Sequence, residues 1–146
     1  MLIKDVMTRT PACAKPSDTL DTVAKLMLEH DCGEIPVCDG TKLVGVITDR
    51  DITCRAVAVG KTPIAIPASD VMTRHVYSIR ENDKVEAAFD LMDEKLVRRL
   101  PVVDESGVIV GIVSQADLIA KVPTLKVARL MRSVSKKTRK HATATL

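Results

Sequence analysis

Gly45-Val46-Ile47-Thr48-Asp49-Arg50-Asp51 and Gly111-Ile112-Val113-Ser114-Gln115-Ala116-Asp117 follow one pattern: glycine, two β-branched residues, a hydroxyl residue, two variable residues, aspartate. The apolar pair suits a buried strand. The hydroxyl residue falls where the strand gives out, and it can cap a helix. A strand feeding a helix N-terminus gathers unpaired N–H groups and the positive end of the helix dipole, a setting that suits phosphate. The aspartate lies about one turn further on, on the same side as the hydroxyl. A carboxylate there can accept hydrogen bonds from two vicinal hydroxyls, as on a ribose.

Outward from these stretches the whole body repeats. Val6-Met7-Thr8-Arg9 returns as Val71-Met72-Thr73-Arg74, and Ile35-Pro36-Val37 as Leu100-Pro101-Val102, both 65 residues later. The two glycines, and the two closing aspartates, are 66 apart. The added residue enters where Asp39-Gly40-Thr41 has become Asp104-Glu105-Ser106-Gly107, a turn that tolerates insertion. The chain thus divides into a first repeat over 1–60, a linker over 61–69 with Pro63 and Pro67, a second repeat over 70–122 and a basic tail over 123–146.

Each repeat predicts the same elements, a mixed α/β fold. A short opening segment (Ile3 to Thr8, Asp70 to Thr73) leads to an extended stretch near Ala12–Ala14 or Val76–Ile79. A helix follows, with Leu20, Val23, Ala24, Met27 and Leu28 on its apolar face, capped by Ser17 or Asp18. Its twin uses Val85, Ala88, Phe89 and Met92, capped by Asn82 or Asp83. A hairpin comes next, Glu34–Cys38 with Leu43–Thr48, and Arg99–Val103 with Val108–Ser114. A second helix closes each repeat, Asp49 to about Val59 and Gln115 to about Lys121. A repeat of this size is marginal for independent folding, so the two should pack together with pseudo-two-fold symmetry. The methionines Met27 and Met92 suggest a further apolar contact, most simply a homodimer. A short helix is expected from Leu125 to Met131, and disorder after Ser133.

Composition narrows the function. Aromatics make up 1% of 146 residues, only Tyr77 and Phe89, so there is no stacking platform for single-stranded nucleic acid. No apolar run approaches a membrane span, and the N-terminus lacks a signal pattern, so a cytoplasmic location is expected. Cys13, Cys32, Cys38 and Cys54 include no C-x-x-C pair; they read as buried free thiols, and no metal site is expected. Residues 121–146 carry eight basic residues and no acid, whereas the first 120 hold 14 basic and 19 acidic ones. A basic tail on an acidic body supports an alternative reading, a nucleic-acid-binding protein anchored by its tail. No nucleophile–base pair, metal cluster or Walker loop is present, so an enzyme is not expected.

Taken together and in order, Asp5-Val6-Met7-Thr8-Arg9, the Pro-Val of each hairpin, the Asp-Gly or Ser-Gly turn and the doubled glycine-to-aspartate pattern resemble a tandem CBS-domain protein, of the cystathionine β-synthase accessory type. The resemblance covers roughly residues 1–122 and implies two β-α-β-β-α repeats. It implies a regulatory, non-catalytic module that binds an adenosine-containing ligand, AMP, ADP, ATP or S-adenosylmethionine, in the cleft between repeats. No catalytic cofactor is implied. Ribose and phosphate would be held by Asp117 with Ser114, and by Asp51 with Thr48. The base would lie among Val76, Tyr77, Ser78, Leu100 and Pro101 in one cleft, and Thr10, Pro11, Ala12, Ile35 and Pro36 in the other. Phosphate would be met by Arg98 and Arg99. The first repeat has Gly33 and Glu34 in their places, and Arg50 would supply charge there across the pseudo-dyad. Occupancy would change conformation or dimer geometry and so act on a separate regulated protein.

Overall fold

The computed structural model describes residues 1–125, 127–129 and 132. The order of elements is α1 (Ile3–Val6), β1 (Thr8–Arg9), α2 (Leu20–Glu29), β2 (Glu34–Asp39), β3 (Lys42–Thr48), α3 (Asp49–Arg55), α4 (Ala68–Val71), β4 (Ile79–Arg80), α5 (Val85–Lys95), β5 (Arg99–Val103), β6 (Ile109–Ser114) and α6 (Gln115–Lys121). Short 3-10 turns at Val57–Val59 and Pro63–Ala65 lie in the stretch between α3 and α4.

The chain forms two compact units, and they do not coincide with the sequence repeats. The N-terminal unit comprises Thr10–Val76 and Asp104–Ile109; the C-terminal unit comprises Met1–Arg9, Tyr77–Val103 and the chain from Val110 onward. The opening segment of each repeat therefore completes the other unit. In the C-terminal unit Ile3 and Val6 are buried with Leu100, Val113 and Leu118. Ile3 N–H donates to Asp83 O and Lys4 N–H to Glu81 O, each at 2.9 Å. In the N-terminal unit Ala68 and Val71 of α4 join Ile35, Val37 and Ile47. There Ala68 N–H donates to Asp18 O at 2.7 Å and Ser69 N–H to Pro16 O at 3.0 Å. Burying each large aliphatic side chain contributes about 1.5–3 kcal/mol, so two per segment suffice to hold a single turn of helix.

Both units share one sheet plan. In the C-terminal unit the strand order is β1-β6-β5-β4, with β1 antiparallel to β6 and β4 parallel to β5. The N-terminal unit pairs β2 with β3 and adds isolated bridges, Ala14 parallel to Val37 and Val46 antiparallel to Thr73.

The conserved spacing of the motif glycines has a packing cause. A Cβ on Gly111 would stand 2.6 Å from Met7 Sδ and 2.9 Å from the Thr8 carbonyl oxygen; on Gly45 it would stand 2.5 Å from Met72 Sδ. These glycines make room for the methionine of the inserted opening segment.

Several expectations are corrected. Asp18 and Asp83 do not cap α2 and α5; the N-cap positions are Thr19 and Lys84. Each aspartate instead closes the preceding turn, Asp18 accepting from Lys15 N–H at 2.8 Å and Asp83 from Arg80 N–H at 3.0 Å. Asn82 takes a hydrogen bond from Lys4 Nζ at 3.0 Å, and Ser17 is exposed. Leu28 is 83% exposed and Ala24 is exposed, so α2 buries a narrower stripe of Leu20, Val23 and Met27. Helix α3 stops at Arg55, before the 3-10 turn and Gly60 at φ +77°. Met27 and Met92 are buried in the cores of their own units, so they offer no outward methionine face to a second copy. Thr124, Leu125, Val127, Ala128, Arg129 and Arg132 are helical, in agreement with the helix expected there. Disorder after Ser133, and most of the basic tail, lie outside the described residues.

Candidate functional site

The two strand-to-helix junctions are built alike. Thr48 and Ser114 are extended residues at the N-caps of α3 and α6. Thr48 Oγ1 accepts the Asp51 N–H at 3.1 Å, and Asp51 Oδ2 accepts the Thr48 N–H at 2.9 Å. Ser114 Oγ accepts the Asp117 N–H at 3.1 Å, and Asp117 Oδ2 accepts the Ser114 N–H at 2.8 Å. Ser114 Oγ also donates to Asp117 Oδ2 at 2.6 Å. These are reciprocal capping boxes, with aspartate where glutamate is more usual. Both carboxylates are half-buried and held in place, and capping engages Oδ2 of each. An ionised carboxylate has about four lone-pair sites, so a capping role and a ligand role are compatible.

The proline segments run beside each junction. In the C-terminal unit Ile79 pairs with Val102 in parallel register, which carries Tyr77 and Ser78 along the strand that holds Leu100 and Pro101. In the N-terminal unit the parallel bridge from Ala14 to Val37 carries Thr10, Pro11 and Ala12 along Ile35 and Pro36. Ile35, Pro36, Leu100 and Pro101 are buried; Val76, Tyr77, Ser78, Pro11 and Ala12 are half-buried. Val76 belongs to the N-terminal unit and Tyr77 to the C-terminal one. Thr10 is exposed and holds φ +51°, an uncommon conformation for a β-branched residue. Lys95 Nζ lies 5.2 Å from the centroid of the Tyr77 ring, so one ring face already meets a cation.

The first residue after each hydroxyl and the residue just before each hairpin differ in charge between the units. Asp49 N–H donates to Gly33 O at 3.0 Å, and Gln115 N–H donates to Arg98 O at 2.9 Å, an equivalent bond in each unit. Arg98 is exposed and Arg99 half-buried, and Arg50 is exposed on α3. At Gly33 a Cβ would meet Asp49 Oδ2 at 2.9 Å. An acidic residue thus occupies the space beside Gly33, at the position where the twin unit has Arg98.

Two further residues were missed in the sequence. Arg55 Nε lies 3.8 Å from Asp51 Oδ1, and Arg55 donates to Val71 O at 3.0 Å. Lys121, four residues beyond Asp117, donates to Val6 O at 3.3 Å. Each cation covers the last carbonyl of the opening helix lodged in its unit. The signal was available, since both stand four residues past the aspartate and share its 66-residue offset.

A surface cavity of about 390 Å³ lined by Lys15, Pro16, Ser17, Cys38, Asp39 and Gly40 includes none of the expected ligand residues. Among the described residues no group of three or more His, Cys, Asp or Glu is placed to hold a metal ion. No helix among them is long and apolar enough to cross a membrane.

A family profile described as the CBS domain matches residues 3–56 and 68–124. The chain belongs to the CBS-domain family. The CBS domain-containing protein YhcV of Bacillus subtilis is 40% identical over 116 residues, which are 80% of this chain and 81% of that one. Hypoxic response protein 1 of Mycobacterium tuberculosis is 32% identical over 132 residues, 90% of this chain and 92% of its own length. Among solved CBS structures, the domain pair of protein MJ0100 in complex with 5-methylthioadenosine and S-adenosyl-L-methionine matches with TM-score 0.73 at 31% identity, covering 82% of this chain and 94% of that one. CBSX2 in complex with AMP matches with TM-score 0.73 at 28% identity, covering 86% and 98%. An L-aspartate semialdehyde sulfurtransferase and an inosine-5'-monophosphate dehydrogenase also match, but only over 22% of each enzyme.

Proposed function

We propose that this CBS protein is a non-catalytic regulatory module that binds an adenosine-containing ligand at its strand-to-helix junctions. The observation that carries the reading is the pair of capped carboxylates, Asp117 with Ser114 and Asp51 with Thr48, each beside a buried proline on the neighbouring strand. A ribose would lie on the aspartate and a base against Leu100 and Pro101, or Ile35 and Pro36. Arg98 and Arg99 would meet phosphate at the Ser114 junction. CBS pairs of similar structure bind AMP, methylthioadenosine and S-adenosylmethionine, which supports the same ligand class here. Binding that prefers one conformation, or one geometry of a homodimer, shifts its population and so signals to a partner protein.

Calorimetry with AMP, ATP and S-adenosylmethionine tests this. Asp117→Ala is expected to weaken the best ligand by about 1.5–3 kcal/mol, roughly 10- to 150-fold in Kd, because it removes charge-assisted hydrogen bonds. Asp117→Asn, which keeps an oxygen for the cap, separates loss of charge from loss of folding. Unchanged affinity in a folded variant would remove the aspartate from the site.

A further inference from the structure

Two cysteines of the N-terminal unit stand together. Cys13 precedes Ala14, and Cys38 follows Val37, across the parallel bridge between those residues. That bridge is closed by Ala14 N–H to Pro36 O and Cys38 N–H to Ala14 O, both 2.9 Å. The pairing of β2 with β3 shifts between Val37 and Cys38. Such an irregularity bends a strand and re-aims its side chains. Alternation along the two segments puts both thiols on the face opposite Ala14 and Val37, where each perturbs the other, and Cys13 Sγ donates to Pro11 O at 3.5 Å. Cys38 is buried and Cys13 half-buried, so one sulfur of the pair is open to a small solute. Cys54 is exposed on α3, and Cys32 is half-buried beyond the end of α2.

We propose that Cys13 and Cys38 form a reversible redox couple whose disulfide, made by a peroxide, staples the Pro11–Cys13 segment to β2. The Cys13 thiolate attacks one peroxide oxygen; the S–O bond forms, the O–O bond breaks, and hydroxide leaves and takes up a proton. The Cys38 sulfur then attacks the Cys13 sulfenic acid, the S–S bond forms, the S–O bond breaks, and the Cys38 proton leaves with the hydroxyl as water. Two thiols and one hydrogen peroxide give one disulfide and two waters. Burial raises both thiols above their ordinary range, Cys38 to about 12, so little thiolate is present at neutral pH. The couple therefore responds to sustained peroxide and not to a brief pulse.

Hydrogen peroxide treatment of the whole protein, blocking with a maleimide and peptide mapping test the couple. Two of the four thiols should escape labelling. A single cross-linked peptide should join Cys13 to Cys38, and dithiothreitol should restore both thiols. In Cys38→Ser the Cys13 sulfenic acid should persist and be trapped by a dimedone probe. Labelling of all four thiols, a cross-link through Cys32 or Cys54, or over-oxidation of Cys13 without a cross-link would overturn the proposal, and the map of the unaltered protein needs no variant to fold. The effect on ligand rests on the adenosine reading, because Thr10–Ala12 belong to the proposed base pocket: Kd for AMP or S-adenosylmethionine should differ between oxidised and reduced protein. Equal values with the cross-link present would overturn that coupling alone.

Discussion

The two junctions share a backbone and differ in charge. Around Thr48 stand three acids, Glu34, Asp49 and Asp51, against Arg50 and Arg55; around Ser114 stand Arg98, Arg99 and Lys121 against Asp117 alone. The difference is enforced sterically as well as chemically. The Asp49 carboxylate fills the space where a side chain at Gly33 would start, whereas the equivalent bond in the other unit joins Arg98 to the neutral Gln115. Duplication has kept the hydrogen-bond frame and let the charge diverge. One unit charge at ~4 Å is worth about 1 kcal/mol in water and about 4 near a protein surface, enough to separate ligands by phosphate content. On the adenosine reading proposed above, the Ser114 junction would favour a nucleotide and the Thr48 junction a nucleoside without phosphate.

The strongest way to break this comparison is to copy one junction onto the other. Arg98→Gly with Arg99→Glu should weaken AMP at the C-terminal unit by about 2–3 kcal/mol, roughly 30- to 150-fold, through lost charge-assisted bonds. Methylthioadenosine affinity, measured by the same calorimetry, should scarcely move; equal losses for both ligands would show that the arginines do not read phosphate. The glycines sharpen the comparison on stability. Gly111→Ala should destabilise by about 1–3 kcal/mol in urea unfolding, because the added methyl meets both Met7 and the fixed Thr8 carbonyl. Gly45→Ala should cost less, since only the flexible Met72 side chain must yield. The smallest effect is expected after the first long helices. Leu96 and Asp31, 65 residues apart, hold φ +57° and +48°. Leu96→Gly should stabilise by about 0.5–1 kcal/mol, read as a raised Tm, while Asp31→Gly should change less because aspartate tolerates this conformation.

Much of this was legible in the sequence because the repeat doubled every signal. Hairpins, both capping hydroxyls and the 66-residue offset of the aspartates follow from short-range chemistry that a single stretch contains. What was illegible depends on contacts distant in sequence. Asp18 and Asp83 look like helix caps, but their backbone carbonyls receive the opening segment of the other repeat, which fixes them in turns one residue too early. Met27 and Met92 look like interface residues until the neighbours that bury them are known. The need for glycine at 45 and 111 rests likewise on a distant contact, the approach of Met72 or Met7.

The exchange of opening segments also bears on synthesis at the ribosome. Helix α1 is translated well before its partners in α5, β5 and α6, which begin at Val85 and end at Lys121. At about 5–20 residues per second, Ile3 and Val6 stay exposed for roughly 4 to 23 seconds before their core exists. The nascent chain carries this apolar segment uncovered through that interval.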